Sequence, residues 1–422
     1  MFRIRLIGVF VFVAIGLSGS LSVEAAEKDE AVFAAATGEG PAALETLKTL
    51  VAIESGSGDA IGLAEMADAL DERLHALGFA VERHTSTAGV GASTVVGTKS
   101  GNGTQNVILM AHMDTVFERS TLETMPIRQE GNRLYGPGVV DDKGGIAVIL
   151  HTMKVLNDLG WSDYASLTIL FNPDEETGSA GSSALITNLA SGADTVLSFE
   201  IGGDGRRGMA WVLMGTAAYA SVRLEVAGAA SHAGSAPKLG KNAVLELAHQ
   251  LLQTKEVDKT IPGAQLNWTN VISDKAFNQI PDKAIAIGDA RITVEGAEND
   301  LLAALKAKLA SSQLIPGTTS SVSVEILRPG FEANEKARAV AALTQEIDSE
   351  FGGRAFYVVP MVKGATDAGY AAVSGNAAVL EGFGPSGANL HSKDEYVEIN
   401  SLPASIYQVA RLLMELGNGN SK

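Results

Sequence analysis

A chain of 422 residues exceeds what one simple core fills, so two domains are expected, and 46 % apolar residues suffice for packed interiors and argue against disorder. Its 49 acids against 32 bases give a formal charge of −17, a field that makes nucleic acid and anionic membrane surfaces poor partners. There is no cysteine, which excludes disulfides and thiolate metal sites.

The N-terminus reads as a secretion signal. Arg3 and Arg5 precede an uncharged apolar run from Leu6 to Leu17, and a small, polar stretch ends Val23-Glu24-Ala25, which fits cleavage after Ala25. The run is too short to span ~30 Å of hydrocarbon, which takes about 20 residues, so residues 1–25 are expected to be a leader removed on export. The mature protein is then periplasmic or secreted, with no membrane attachment. From Pro41 to Leu77 apolar residues recur at helical spacing, with Gly78 as a stop. Asn106–Met113 reads as a strand, Gly144–Leu159 as an amphipathic helix closed by Gly160, Ser166–Phe171 as a buried strand, Ser182–Leu189 as a short helix, and Thr195–Phe199 as another strand. Such alternation indicates an α/β fold around a mixed sheet with helices on both faces.

The texture changes near Gly215. Tyr219–Val226, Ala284–Val294 and Ser321–Leu327 look strand-like, while Asn242–Gln253 and Leu301–Leu309 look helical. This is roughly the β-α-β-β-α-β pattern of a small ferredoxin-like α+β unit. From Phe331 the first texture resumes, with a helix over Ala337–Phe351, a strand at Ala377–Leu380 and a final helix near Ala404–Leu416. The simplest organisation is a catalytic α/β domain in two parts, 26–215 and 331–422, interrupted by an inserted domain at 216–330.

Chemistry-bearing residues gather at predicted strand ends. His112 and Asp114 close NVILMAHMD, Asp141 and Asp142 sit in a Gly-rich turn before a helix, and Glu175 and Glu176 follow LTILF. Glu200 ends TVLSFE, and His391 lies in a loop beyond the last strand region. Ligands of open α/β sheets collect beyond the carboxyl ends of strands, so five segments could deliver donors to one rim. Two imidazoles and several carboxylates without sulfur suit zinc, and would also admit cobalt or manganese. His112 and Asp114, two apart on a strand, share a face, so Asp114 could fix the tautomer of His112. The other acidic doublets, Asp29-Glu30 and Asp71-Glu72, read as solvated faces, and His75, His84, His151 and His249 as structural or surface groups.

In this order HMDTV, GPGVVDDKGG, NPDEETGS, SFE and HSKDEYV resemble metallopeptidase family M20, and among its members the bacterial glutamate carboxypeptidases that hydrolyse folates. The resemblance runs from about Pro41 to the C-terminus and takes in SHAGSAPKLGKNA of the inserted unit. It implies a zinc-peptidase catalytic domain, with the ferredoxin-like insert as lid and dimerisation domain. It also implies two zinc ions: His112 and Glu200 would hold one, Glu176 and His391 the other, and Asp141 would bridge them. Glu175 would be the general base, and the Asp141–Asp142 peptide would be cis. His232 in SHAG would stabilise the oxyanion, from the partner subunit in relatives that dimerise. Asn278 in FNQIP and Arg291 in GDAR would meet the substrate carboxylate, Arg291 by a bidentate contact.

Two stretches depart from the resemblance. Lys363-Gly364-Ala365-Thr366-Asp367-Ala368 stands where a Gly-rich GGGTDA is usual, and IGGDGRRGMAW after Glu200 is longer than expected. The latter places Arg206 and Arg207 where a single lysine is usual; either contacts an acidic substrate side chain or is a surface charge. The activity implied is a carboxypeptidase cutting the amide bond to a C-terminal amino acid, glutamate first, acting on small peptides or N-acyl amino acids as a homodimer. An N-acyl-amino-acid amidohydrolase or dipeptidase would share the metal centre and differ in pocket walls. A non-turning-over metal-site binding protein is the reading from another class, and retention of Glu175 with both histidines argues against it. A serine hydrolase is disfavoured because Gly-x-Ser-x-Gly is absent, and a nucleotide enzyme because no phosphate-binding loop occurs.

Overall fold

The computed structural model describes residues 28–419 apart from 87, 89, 90 and 353; the expected leader at 1–25 lies outside the described residues. The chain is a mixed α/β protein with one large mixed sheet. The strand Asn106–His112 runs parallel to Ser166–Asn172 on one side and Thr195–Ser198 on the other, and Ala378–Glu381 continues the parallel run. Ser93–Ser100 and Ala80–Thr85 extend the sheet antiparallel beyond Ser166–Asn172. Both faces of the Asn106–His112 strand are buried, and its residues divide by parity. Val107, Leu109 and Ala111 face the core shared with the helices Glu30–Val51, Lys143–Asp158 and Ser401–Gly417. Ile108 and Met110 face a smaller core beneath the short helices Ser183–Ala190 and Ala368–Ala371. Two covered faces explain why this strand reads as a continuous apolar run.

The expected helix from Pro41 to Leu77 is two helices, Glu30–Val51 and Ala60–Ala76, each capped by an aspartate. Pro41 lies inside the first rather than at its start. An interior proline costs ~3 kcal/mol, and burial of Val32, Ala36, Ala43, Leu47 and Leu50 offsets it. Tertiary packing thus overrides a local breaker.

Residues 218–328 build a separate four-stranded antiparallel sheet, in the order Ala264–Ile272, Lys283–Ile292, Ala218–Ala227, Thr319–Arg328. The helices Ala243–Thr254 and Ala297–Ser311 pack on it over apolar clusters of their own. This is the ferredoxin-like order. Ala264–Ile272 escaped the sequence pattern because it is an edge strand in which Leu266 alone is buried, so no alternation survives.

Candidate metal centre and substrate cavity

The carboxyl ends of the parallel strands converge on Asp141. His112, the last residue of its strand, is buried with Nε2 2.9 Å from Asp141 Oδ1 and 3.7 Å from Glu200 Oε1. On the other side of the same carboxylate, His391 Nε2 lies 3.1 Å from Asp141 Oδ2 and 3.3 Å from Glu176 Oε2. Within each of the two sets the donor atoms lie 2.9–3.7 Å apart, close enough for each set to hold a cation. The Asp141–Asp142 peptide is cis. Gly145 lets the following helix start close to the rim, because a Cβ there would lie 2.2 Å from Asp142 Oδ1 and 2.3 Å from the Phe199 carbonyl.

Asp114 organises the cluster from beneath. Fully buried, its Oδ1 accepts from Glu175 N at 3.0 Å and its Oδ2 from Glu176 N at 3.2 Å and Ser57 Oγ at 2.7 Å. Oδ1 also lies 3.3 Å from His112 Nδ1, which is 3.0 Å from the Asp114 carbonyl. Two acceptors at Nδ1 put the proton there and leave Nε2 as a lone-pair donor toward Asp141 and Glu200.

The electrostatics are those of a site short of positive charge. Burial pushes Glu175 up to about 8, only partly countered by His112, and drives Glu200 and Asp142 well above the usual carboxylate range. Asp141 is held low: burial would raise it, but His112 and His391 more than compensate. Asp141 and Glu176 in turn hold the His391 imidazole up at about 10. Glu176 Oε1 and Asp142 Oδ1 are buried without a hydrogen-bond partner. Orphaned carboxylate oxygens beside two imidazoles fit divalent cations, which would supply the missing charge and ligands. His112 and Glu200 could hold one ion and Glu176 and His391 a second, with Asp141 shared. Asp142, which the motif reading left without a role, forms a further donor group with His112 and Glu200.

A cavity of about 980 Å³ opens over this cluster. Arg291 and Arg328 enter it from strands of the inserted unit. The Nε and Nη2 of Arg291 each donate to Asp289 at 2.9 Å, and its guanidinium lies over the Tyr219 ring with Nη1 3.5 Å from the Lys363 carbonyl. One edge of the fork is therefore already occupied, and a substrate carboxylate would meet the end-on edge. Arg328 is a functional group that the motif reading missed. It is buried, donates to the Glu175 carboxylate and carbonyl, and reaches the Ala365 carbonyl at 2.9 Å. A lone arginine at the end of an alternating strand carries no local signature. Glu381, buried at the end of its strand and bonded by Thr366, also lines the cavity and was missed.

Three expected site residues lie elsewhere. His232 is exposed, its Nδ1 accepting from Gly234 N and Ser235 N at 3.1 Å. Asn278 is exposed beside it, its carbonyl accepting from Ala233 N at 2.8 Å. Arg207 is 73 % exposed in a turn, 3.7 Å from Asp204, and Arg206 donates to the same carboxylate; neither arginine lines the cavity.

Residues 108–415 match the model of peptidase family M20/M25/M40. The chain belongs to this family. It is 41 % identical over 398 residues, 94 % of each chain, to Carboxypeptidase G2 of Pseudomonas sp. (strain RS-16). Among solved structures it is similar to aminopeptidase PepT of Bacillus cereus, with TM-score 0.72 and 19 % identity over 89 % of this chain and 98 % of that one. It is also similar to an M20 metallo-carboxypeptidase of Sulfolobus solfataricus, with TM-score 0.69 and 17 % identity over 88 % and 98 %. At those identities the structures speak to fold. With the family and the first relative, they make this chain an M20 metallocarboxypeptidase, close to carboxypeptidase G2.

Proposed function

We propose that this M20 enzyme is a di-zinc carboxypeptidase that hydrolyses the amide bond joining a C-terminal amino acid to an acyl group. One observation carries the reading: two donor sets share Asp141 beside a buried Glu175, and an arginine from the inserted unit enters the same cavity. Two bound cations would supply an acidified water and a polarised carbonyl at neutral pH. Glu175 serves as the base, taking a proton from the attacking water and delivering it to the leaving nitrogen. Arg328 donates to one oxygen of the Glu175 carboxylate and stays there, so the other oxygen is the one that takes the proton. Arg291 holds the free carboxylate and thereby restricts the enzyme to the chain end.

The inserted unit is proposed as the homodimer surface, supplying exposed His232 and Asn278 to the partner's cavity. Exposed Leu245, Leu252, Val271 and Phe277 on that unit support this, and sedimentation of a monomer at micromolar concentration would remove it. Export to the periplasm rests on the N-terminal pattern, and a mature protein that does not begin at Ala26 would count against it. For the released residue, glutamate is supported by the likeness to carboxypeptidase G2, a glutamate carboxypeptidase. A broader N-acyl-amino-acid specificity is favoured by the apolar lining of the cavity. The reading is tested with N-benzoyl amino acids and their C-terminal amides. Acids are expected to be cut and amides spared, with activity lost on chelation and restored by zinc. Equal cleavage of amides, or full activity in protein shown by elemental analysis to lack metal, would overturn it.

A further inference from the structure

The cavity wall between the metal ligands and the carboxylate anchor is apolar and continuous. Ile201 follows Glu200 directly and its carbonyl accepts from Trp211 Nε1 at 3.0 Å. Trp211 and Leu213 project from the same face of the strand Met209–Leu213. Leu213 pairs in register with Val359 of the parallel strand Ala355–Val359, and Val362 lies one residue before the Lys363 carbonyl that Arg291 faces. Trp211 reaches this position because Gly382 offers no side chain; a Cβ there would stand 3.1 Å from Trp211 Cδ1, and its φ of +93° suits glycine.

An amino acid with its nitrogen beside Glu175 and its carboxylate on Arg291 must lay its side chain along this wall. A second carboxylate there finds no free counter-charge. Among the residues lining the cavity the cations besides Arg291 are His391, committed to Asp141 and Glu176, and Arg328, committed to Glu175 and the Ala365 carbonyl. Lys363, just outside, donates to Gln265 at 2.5 Å, and Arg206 and Arg207 face Asp204 on the surface. Buried Glu381 at the end of the wall adds an acid rather than a base.

We propose that the residue released carries an apolar side chain, aromatic or branched aliphatic, seated on Trp211, Leu213, Val359 and Val362. The inference rests on the carboxypeptidase reading above and departs from glutamate as its product. A desolvated apolar wall discriminates by roughly ten- to hundredfold, and leaving a carboxylate unpaired against it adds to the penalty.

The test holds the acyl group constant: kcat/KM is measured on the zinc-loaded enzyme for N-benzoyl-leucine, -phenylalanine and -glutamate. The leucyl and phenylalanyl substrates are expected to be at least tenfold better than the glutamyl one. Leu213→Lys, which supplies the cation that the wall lacks, is expected to lower that ratio at least tenfold. Glutamyl cleavage equal to or faster than leucyl cleavage overturns the proposal and leaves the carboxypeptidase reading standing. An unchanged ratio in a folded Leu213→Lys protein also overturns it, because the side chain then lies elsewhere. If that variant does not fold, the wild-type series still decides. No hydrolysis of any of the three acids sinks the carboxypeptidase reading and this inference with it.

Discussion

The two sheets of this chain contribute to one cavity in opposite ways. In the large sheet the parallel strands are covered on both faces, and the groups at their ends are fixed by buried partners, as Asp114 fixes His112, Glu175 and Glu176. The inserted sheet is packed under helices on one face, while its edge strand leaves Val271 54 % and Ile272 44 % exposed. Besides Tyr219 and Leu327 it gives the cavity two long arginines from the ends of strands, Arg291 and Arg328, each held by a carboxylate. In the proposed reaction the groups that act on the scissile bond are those that buried partners fix, and the anchor for the free carboxylate is Arg291 of the inserted sheet.

That division can be broken by substitution, and the largest effect is expected at Glu175. Glu175→Gln keeps the shape and removes the base, so kcat should fall by about 10²–10⁴ while both metals are retained. Full turnover in a metal-loaded Glu175→Gln protein would remove the chemistry from the large sheet. Asp114→Asn is next. Losing one anionic acceptor beneath the cluster should weaken metal binding or activity by roughly 10–100-fold, measured by zinc competition and turnover. An unaltered zinc affinity together with unaltered turnover would mean that the buried support is dispensable.

How much of this was legible in the sequence follows the same division. His112, Asp141, Glu176 and Glu200 were readable because they close or follow apolar strands or sit in a Gly-rich turn, His391 because its loop lies beyond the last strand region, and the structure brings all five together. Arg328 and Glu381 were not, since their placement depends on which strand ends meet across the cavity, and neither has neighbours of distinctive type. His232 and Asn278 were legible by motif, yet in one chain they pair with each other's segment at the surface. The fold shows the same contrast. Alternation located the central strands, whereas Ala264–Ile272, exposed along most of its length, left no pattern.

The inserted unit should respond differently. Arg291→Ala is expected to raise KM by roughly ten- to hundredfold with kcat little changed, as for a charged contact present in both ground and transition states. A fall in kcat without a KM change would place Arg291 in the chemistry instead. At the metal cluster, Asp141 and Glu176 hold His391 protonated in the metal-free protein, with its pKa up at about 10. A cation must displace that proton, so affinity should fall as pH falls, by about tenfold per unit for one proton released. Chelator competition at pH 6, 7 and 8 reads this slope, and a flat response would argue against His391 as a ligand.

The smallest effect belongs to Arg207. Its guanidinium is exposed and shares Asp204 with Arg206, so removal leaves Asp204 still paired and opens no cavity. Exposed ion pairs of this kind contribute little, because solvent already screens both charges. Arg207→Ala should therefore change kcat/KM by less than about twofold on leucyl and glutamyl substrates alike. A loss confined to glutamyl substrates would mean that the turn at 204–209 swings over the cavity when an acidic side chain binds. That result would restore a cation to the wall now lined by Trp211 and Leu213, and would move recognition of the released residue from the strand pair to a surface turn.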